Sequence, residues 1–214
     1  MDPSVKKEPK FRRRADARPD EVLNAALMLF GARGFAHTTV EAVARAAGLS
    51  KAAVYLYFPS KRALLAGLVR RAVAPVAEIA LGAIADHRGD PRPVIASIMQ
   101  VLAGRLADPN AFAVPALILR EAAAAPDMAL VYREEVLDRI MPAMRGLLMQ
   151  GVAGGYIRRV DPDLTLRSII GPVLTHLLLA EVFDIRPEGG LNLALFMENH
   201  LTILFRGLEP EAAP

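Results

Sequence analysis

The tightest constraint on the fold lies in residues 38–61, TTVEAVARAAGLSKAAVYLYFPSK. Thr38 or Thr39 is suited to cap a short helix over 40–47, with Glu41 in its first turn. Gly48 is a turn residue. Ser50 is suited to cap a second short helix of about 51–57, which Pro59-Ser60 stop. Ser60 is placed to cap a long helix from Lys61 to about Asp86, with a kink expected at Pro75. Two short helices joined by a tight glycine-containing turn form a helix-turn-helix.

The remaining chain reads as helix on both sides. In PDEVLNAALMLFGARG, Val22, Ala25, Ala26, Leu29 and Phe30 recur at three- and four-residue spacing. Pro19 suits the first turn of that helix, and Gly31 and Gly34 mark its end. Residues 1–17 are rich in charge and read as a flexible basic arm. Downstream, punctuation separates helices of about 93–107, 110–124, 126–150, 163–184 and 191–206, with a loop at 151–163. No stretch alternates with period two, and Ala and Leu dominate, which favours helix. The expected architecture is all-α: a helix-turn-helix domain at 18–64, then a helical domain at 65–214.

Charge is unevenly shared. Residues 1–71 hold 14 Lys and Arg against 6 Asp and Glu, a net of +8. Residues 72–214 hold 12 against 17, a net of −5, and the two sum to the +3 of the whole chain. One end is built to meet a polyanion. Without cysteine, disulfides and thiolate metal sites are excluded. The opening residues lack the apolar core of a secretory signal, and the longest apolar run, 169–183, is shorter than a spanning helix needs. A soluble, cytoplasmic protein with no membrane partner is expected.

The helix-turn-helix explains the composition of its second helix. Such a helix lies in the DNA major groove, and phosphate contacts set its register. Ala52 and Ala53 let the backbone approach base edges. Ser50 and Lys51 stand where a hydroxyl and an ammonium can meet phosphate. Tyr55 and Tyr57 each offer an apolar body with a hydroxyl tip. Phe58 is the anchor to the core.

Over residues 19–71 the chain resembles the N-terminal domain of the TetR family of bacterial transcription regulators. The matching run starts at a helix ending FGARGF and continues through TTVEAVARAAGLSKAAVYLYFPSKRALLAGLV. Carried over by position, the resemblance implies that Thr39, Ser50, Lys51, Ala52, Ala53, Tyr55, Tyr57 and Lys61 touch DNA. Ala53 stands where many members have Thr or Ser, and Leu56 where many have Tyr, His or Arg. Both positions bear on operator sequence. The family further implies a dimer on a palindromic operator and a small-molecule pocket in the C-terminal domain. Residues 118–163 are similar to a subgroup that includes regulators of multidrug efflux.

Among apolar residues that could line such a pocket are Met99, Leu102, Phe112, Leu117, Tyr132, Met141, Met144 and His176. Met adapts to irregular shapes, and Tyr132 and His176 add polar tips that would orient a ligand. Ordinary core packing accounts for the same residues. The helices of about 163–184 and 191–206 are apolar on more than one face, as a two-fold four-helix interface requires. The four His form no metal-binding spacing, and no phosphate loop or nucleophile motif is present. Neither catalysis nor a cofactor or metal is expected. The expectation is a repressor released from its operator by a small apolar or amphipathic ligand. The alternative is a DNA-binding scaffold controlled by a protein partner.

Overall fold

The structure is a computed structural model that describes residues 10–190 and 192–210, with side chains from Arg18 onward except at 109–111. Of the expected basic arm, residues 1–9 lie outside the described residues. Among the described residues only helices, turns and bends occur, and the all-α expectation holds. The chain divides into two compact units, one ending at Leu68 and the other beginning at Val69.

The N-terminal unit contains α1 (Lys10–Arg33), α2 (Val40–Ala46), α3 (Lys51–Tyr57) and most of α4 (Lys61–Ala72). Helix α1 starts nine residues ahead of the expected point and runs through Pro19, which lies inside it. Residues 10–18 are mainly Arg, Lys and Ala, all good helix formers. The proline removes one hydrogen bond without ending the helix. Gly34, at φ 81°, closes it with an N–H to the Phe30 carbonyl at 3.0 Å. The core is built from Val22, Ala26 and Phe30 of α1, Val43 of α2, Val54 of α3, and Leu64, Leu65 and Leu68 of α4. Phe30 and Phe35 meet edge to face, with ring centroids 5.0 Å apart. A Cβ on Gly67 would come within 2.8 Å of the Phe58 ring and 3.0 Å of Leu23. Helix α4 therefore belongs to this unit as far as Leu68, beyond the expected boundary at 64.

The C-terminal unit contains α5 (Ala74–Asp86), α6 (Pro91–Ala107), α7 (Pro109–Glu121), α8 (Pro126–Tyr132), α9 (Asp138–Ala153), α10 (Pro162–Glu181) and α11 (Leu193–Leu208). The single helix expected over 61–86 is broken at Val73, and Pro75 takes a place in the first turn of α5. That position suits a residue without an N–H. Helices α8 and α9 are joined by a π-helical turn, Arg133–Leu137. Its wider i→i+5 spacing keeps Val131 and Val136, five residues apart, both buried. Helix α6 is the hub, packing on α5, α7, α9 and α11. Ile95, Met99, Leu147, Leu148, Val173, Leu177, Met197 and Leu201 form the centre of this core. Helix α10 has the length and apolar content of a membrane-crossing helix. Its row Leu166, Ile169, Val173, Leu177 and Ala180 is nonetheless buried in the protein core.

Candidate nucleic-acid interface

Helix α3 is held in place by local chemistry. The Thr39 Oγ1 accepts a hydrogen bond from the Ala42 N–H at 3.1 Å and so caps α2. The other candidate cap, Thr38, is buried instead. Its hydroxyl sits 2.9 Å from the Gly34 carbonyl and 3.2 Å from that of Leu29, and ties the α2 start to the end of α1. Gly48 turns the chain at φ 66°, a conformation that other L residues adopt only under strain. The Leu49 N–H returns to the Ala44 carbonyl at 2.9 Å. Ser50 then caps α3, its Oγ accepting from the Ala53 N–H at 3.1 Å.

Val54 is the buried residue of α3 and points to the core. Phe58, the residue just after the helix, is also buried. Everything else on the helix is exposed or half-exposed. Lys51, Ala52, Tyr55, Leu56 and Tyr57 face solvent, and Ala53 is half-buried. The Lys51 Nζ lies 6.0 Å from the centre of the Tyr55 ring. Of the sequence-predicted contact residues, Ser50, Lys51, Ala52, Ala53, Tyr55 and Tyr57 thus share one short helix and its cap. Thr39 is exposed at the start of the preceding helix, α2.

Lys61 has a second task. Its ammonium donates to the Phe35 carbonyl at 2.9 Å and to the Ala36 carbonyl at 3.2 Å. It also lies 4.5 Å from the centre of the Phe35 ring. Two of its three N–H donors thus fasten the α1–α2 turn to the start of α4. Lys61→Met keeps the stem and removes these bonds. Because the site is partly exposed, the expected loss is about 1 kcal/mol of stability in the N-terminal unit. DNA binding should weaken by a similar factor on every sequence. A thermal melt with parallel titrations on two unrelated duplexes checks both. A sequence-dependent effect would show that Lys61 reads bases.

The residues expected at an effector pocket fall in different places in the C-terminal unit. Met99 and Met144 are 2% and 6% exposed and belong to the packed core, with Leu102, Phe112 and Met141 against it. The Tyr132 phenol is held above its ordinary pKa by burial, but it is not grouped with that core. His176 lines a groove of about 540 Å³ with Gly171, Pro172, Thr175, Leu179 and Phe196, on α10 and α11. Its ring stacks on Phe196 at 4.3 Å, and burial lowers its pKa. A second groove of about 950 Å³ lies along α6 and α11, lined by Gln100, Gly104, Met197, Glu198 and Phe205 among others.

Two residues stand outside the expected set. Leu56 is 85% exposed, far more than a leucine needs to be. The family resemblance had already put it at a position that bears on operator sequence, though not among the residues that touch DNA. His200 is buried, and its Nε2–H donates to the Ile169 carbonyl at 2.9 Å, joining α11 to α10. Its place in an apolar row with Leu193, Met197 and Leu201 marked it as a core residue.

Comparison with known proteins agrees with this geometry. Residues 22–68 match the family of bacterial regulatory proteins, tetR family. The HTH-type transcriptional regulator AcrR of Shigella flexneri is 23% identical over 200 residues, covering 90% of this chain and 93% of the relative. Among solved structures, a complex of SmeT with triclosan superposes with a TM-score of 0.76 at 24% identity, covering 92% of this chain and 99% of that one. SmeT is the repressor of the Stenotrophomonas maltophilia multidrug efflux pump SmeDEF. The transcriptional regulator FadR from Bacillus subtilis, in complex with stearoyl-CoA, gives a TM-score of 0.70 at 21% identity, covering 89% and 99%. At such identities the structural likeness carries the fold. The match over residues 22–68 spans the capped helix pair described above, and this segment is a DNA-binding domain of the TetR family of bacterial regulatory proteins.

Proposed function

We propose that the protein is a cytoplasmic homodimeric repressor that holds a palindromic operator and leaves it when a small apolar or amphipathic effector binds. The observation that carries this reading is α3. It is a short helix anchored by Val54 and Phe58, with its remaining side chains presented outward. Thr39, Ser50, Lys51, Ala52, Ala53, Tyr55, Tyr57 and Lys61 are assigned to the DNA contact. Two-fold symmetry would put one such helix into each of two major grooves a helical turn or a multiple apart. The reading involves no catalytic step.

The dimer is assigned to α10 and α11. Outward from its core row, α10 and its C-terminal cap carry Leu164, Ser168, Gly171, Thr175, Leu178 and Val182 at alternating four- and three-residue spacing. That is the spacing of a helix-on-helix seam, with small residues at its centre. Leu164 and Leu174 of α10, Val182 just after it, and Leu195 and Ile203 of α11 are exposed in the single subunit.

An apolar effector is supported by the ligands of the two structural relatives, stearoyl-CoA and triclosan. A different observation favours control by a protein partner. Met99 and Met144 belong to the core, and the two described grooves, one on α10 and α11 and one along α6 and α11, open to the surface.

Binding to DNA upstream of its own gene, followed by mobility shift at two salt concentrations, tests the core of the proposal. If the two subunits neutralise about six phosphates, affinity should fall by about a thousandfold between roughly 50 and 200 mM salt. A salt-insensitive or sequence-blind shift would count against an operator-binding regulator. Release of the complex by triclosan or an acyl-CoA supports a small-molecule effector. A complex and a melting temperature indifferent to both would favour the protein partner.

A further inference from the structure

We propose that Leu56 is the specificity-determining residue of this protein and that it recognises the 5-methyl group of thymine. The inference rests on the proposed function, in which α3 enters the major groove.

Val54 fixes the inward direction of α3, being fully buried. At about 100° per residue, Ala52 and Leu56 both stand about 160° from it. These two residues therefore form the outermost crest, one turn apart. Ala52 is a single methyl, so Leu56 is the side chain that projects furthest. Lys51 and Tyr55 lie on one flank of the crest, and Ala53 and Tyr57 on the other. The tyrosine hydroxyls and the Lys51 ammonium are placed to meet the sugar-phosphate walls of a groove that receives the crest. The partner is fixed by charge as well as shape: residues 1–71 carry 14 Lys and Arg against 6 Asp and Glu.

The chemistry of α3 then limits what it can read. Its sequence, KAAVYLY, contains no guanidinium, carboxamide or carboxylate. Lys51 is its one side chain of the kind that pairs with guanine, and it stands on a flank of the crest; the helix lacks the Asn or Gln that pair with adenine and the Asp or Glu that accept from cytosine. What the crest offers is apolar surface, and the apolar feature of the major groove is the thymine methyl. An 85% exposed leucine has no other evident use on a helix whose fold is held by Val54.

The test uses the full-length protein. Duplexes are selected from a random pool, and each thymine of the selected half-site is replaced singly by uracil, which removes only the 5-methyl group. One position per half-site should lose about fourfold in affinity, the effect of returning one methyl-sized group to water. That penalty should vanish in Leu56→Ala. Leu56→Gln should move the preference at the same position from thymine to adenine. Both variants should melt with the wild type, since the side chain is exposed, so any loss of reading is not a loss of folding. Equal uracil penalties in wild type and Leu56→Ala would overturn the assignment and leave the DNA-binding reading standing. So would a selected sequence in which no thymine responds to uracil. A wild-type protein that selects no sequence at all would overturn both.

Discussion

Gly171→Glu is expected to turn the proposed dimer into a folded monomer with little affinity for operator DNA. Gly171 sits at the centre of the outward seam of α10. A Cβ built there meets nothing within 4 Å in the single subunit. Replacing a mid-helix glycine even removes a conformational cost of roughly 0.5–1 kcal/mol. The isolated subunit should therefore melt no lower than the wild type. Across a two-fold axis the same substitution brings two carboxylates together and strips them of water, at a cost of several kcal/mol. Once the subunits part, each half-site must be bound alone, and apparent affinity should drop by about a hundredfold or more. Sedimentation at micromolar concentration, beside a mobility shift, reads both effects. An unchanged sedimentation profile would place the interface elsewhere.

Phe30→Ala should do the opposite and leave a dimer whose DNA-binding unit is unfolded. Phe30 is fully buried and packs edge to face on Phe35. Emptying its site costs about 3–5 kcal/mol, with about 0.5–1.5 kcal/mol more for the aromatic pair. A small domain has only about 5–15 kcal/mol in total. None of the C-terminal core residues is altered. The expected melting curve has an early step for the first unit and an unchanged later one, with sedimentation as in the wild type and DNA binding lost. Retained binding at the wild-type melting temperature would mean that the α1 core is not what holds α3. Together the two variants separate the reading surface from the assembly that doubles it.

The local parts of the fold were legible because their causes are local. The limits of α2 and α3 follow from Thr39, Gly48 and Ser50, each acting on backbone groups within a few residues. Proline was a weaker guide. Pro75 opens a helix, whereas Pro19 lies within one, because the Arg- and Ala-rich stretch before it favours helix. Which outcome applies depends on neighbours, not on the proline. The π-turn at Arg133–Leu137 left its trace in Val131 and Val136, five apart, but that spacing alone also fits a loop. Whether a cavity exists was the part that sequence alone could least decide. Met99, Met144 and Phe112 have the same chemistry whether they border a cavity or fill it, and only packing distinguishes the two. Lys61 shows the limit at a single side chain. Its position matched a DNA contact, while the carbonyls of Phe35 and Ala36 that engage it lie 25 residues or more away in sequence.

The apolar crest of α3 has a consequence for how errors are treated. A site that reads through buried donors and acceptors rejects a wrong partner sharply, because the mismatch leaves a polar group stranded. A leucine has nothing to strand. A base change beneath it forfeits one methyl contact and no more, so wrong sequences are discounted by small factors rather than refused. Occupancy across a genome would then be ranked on a continuous scale, with related promoters filling in turn as protein concentration rises. Drift in any one promoter would retune its threshold without disconnecting it.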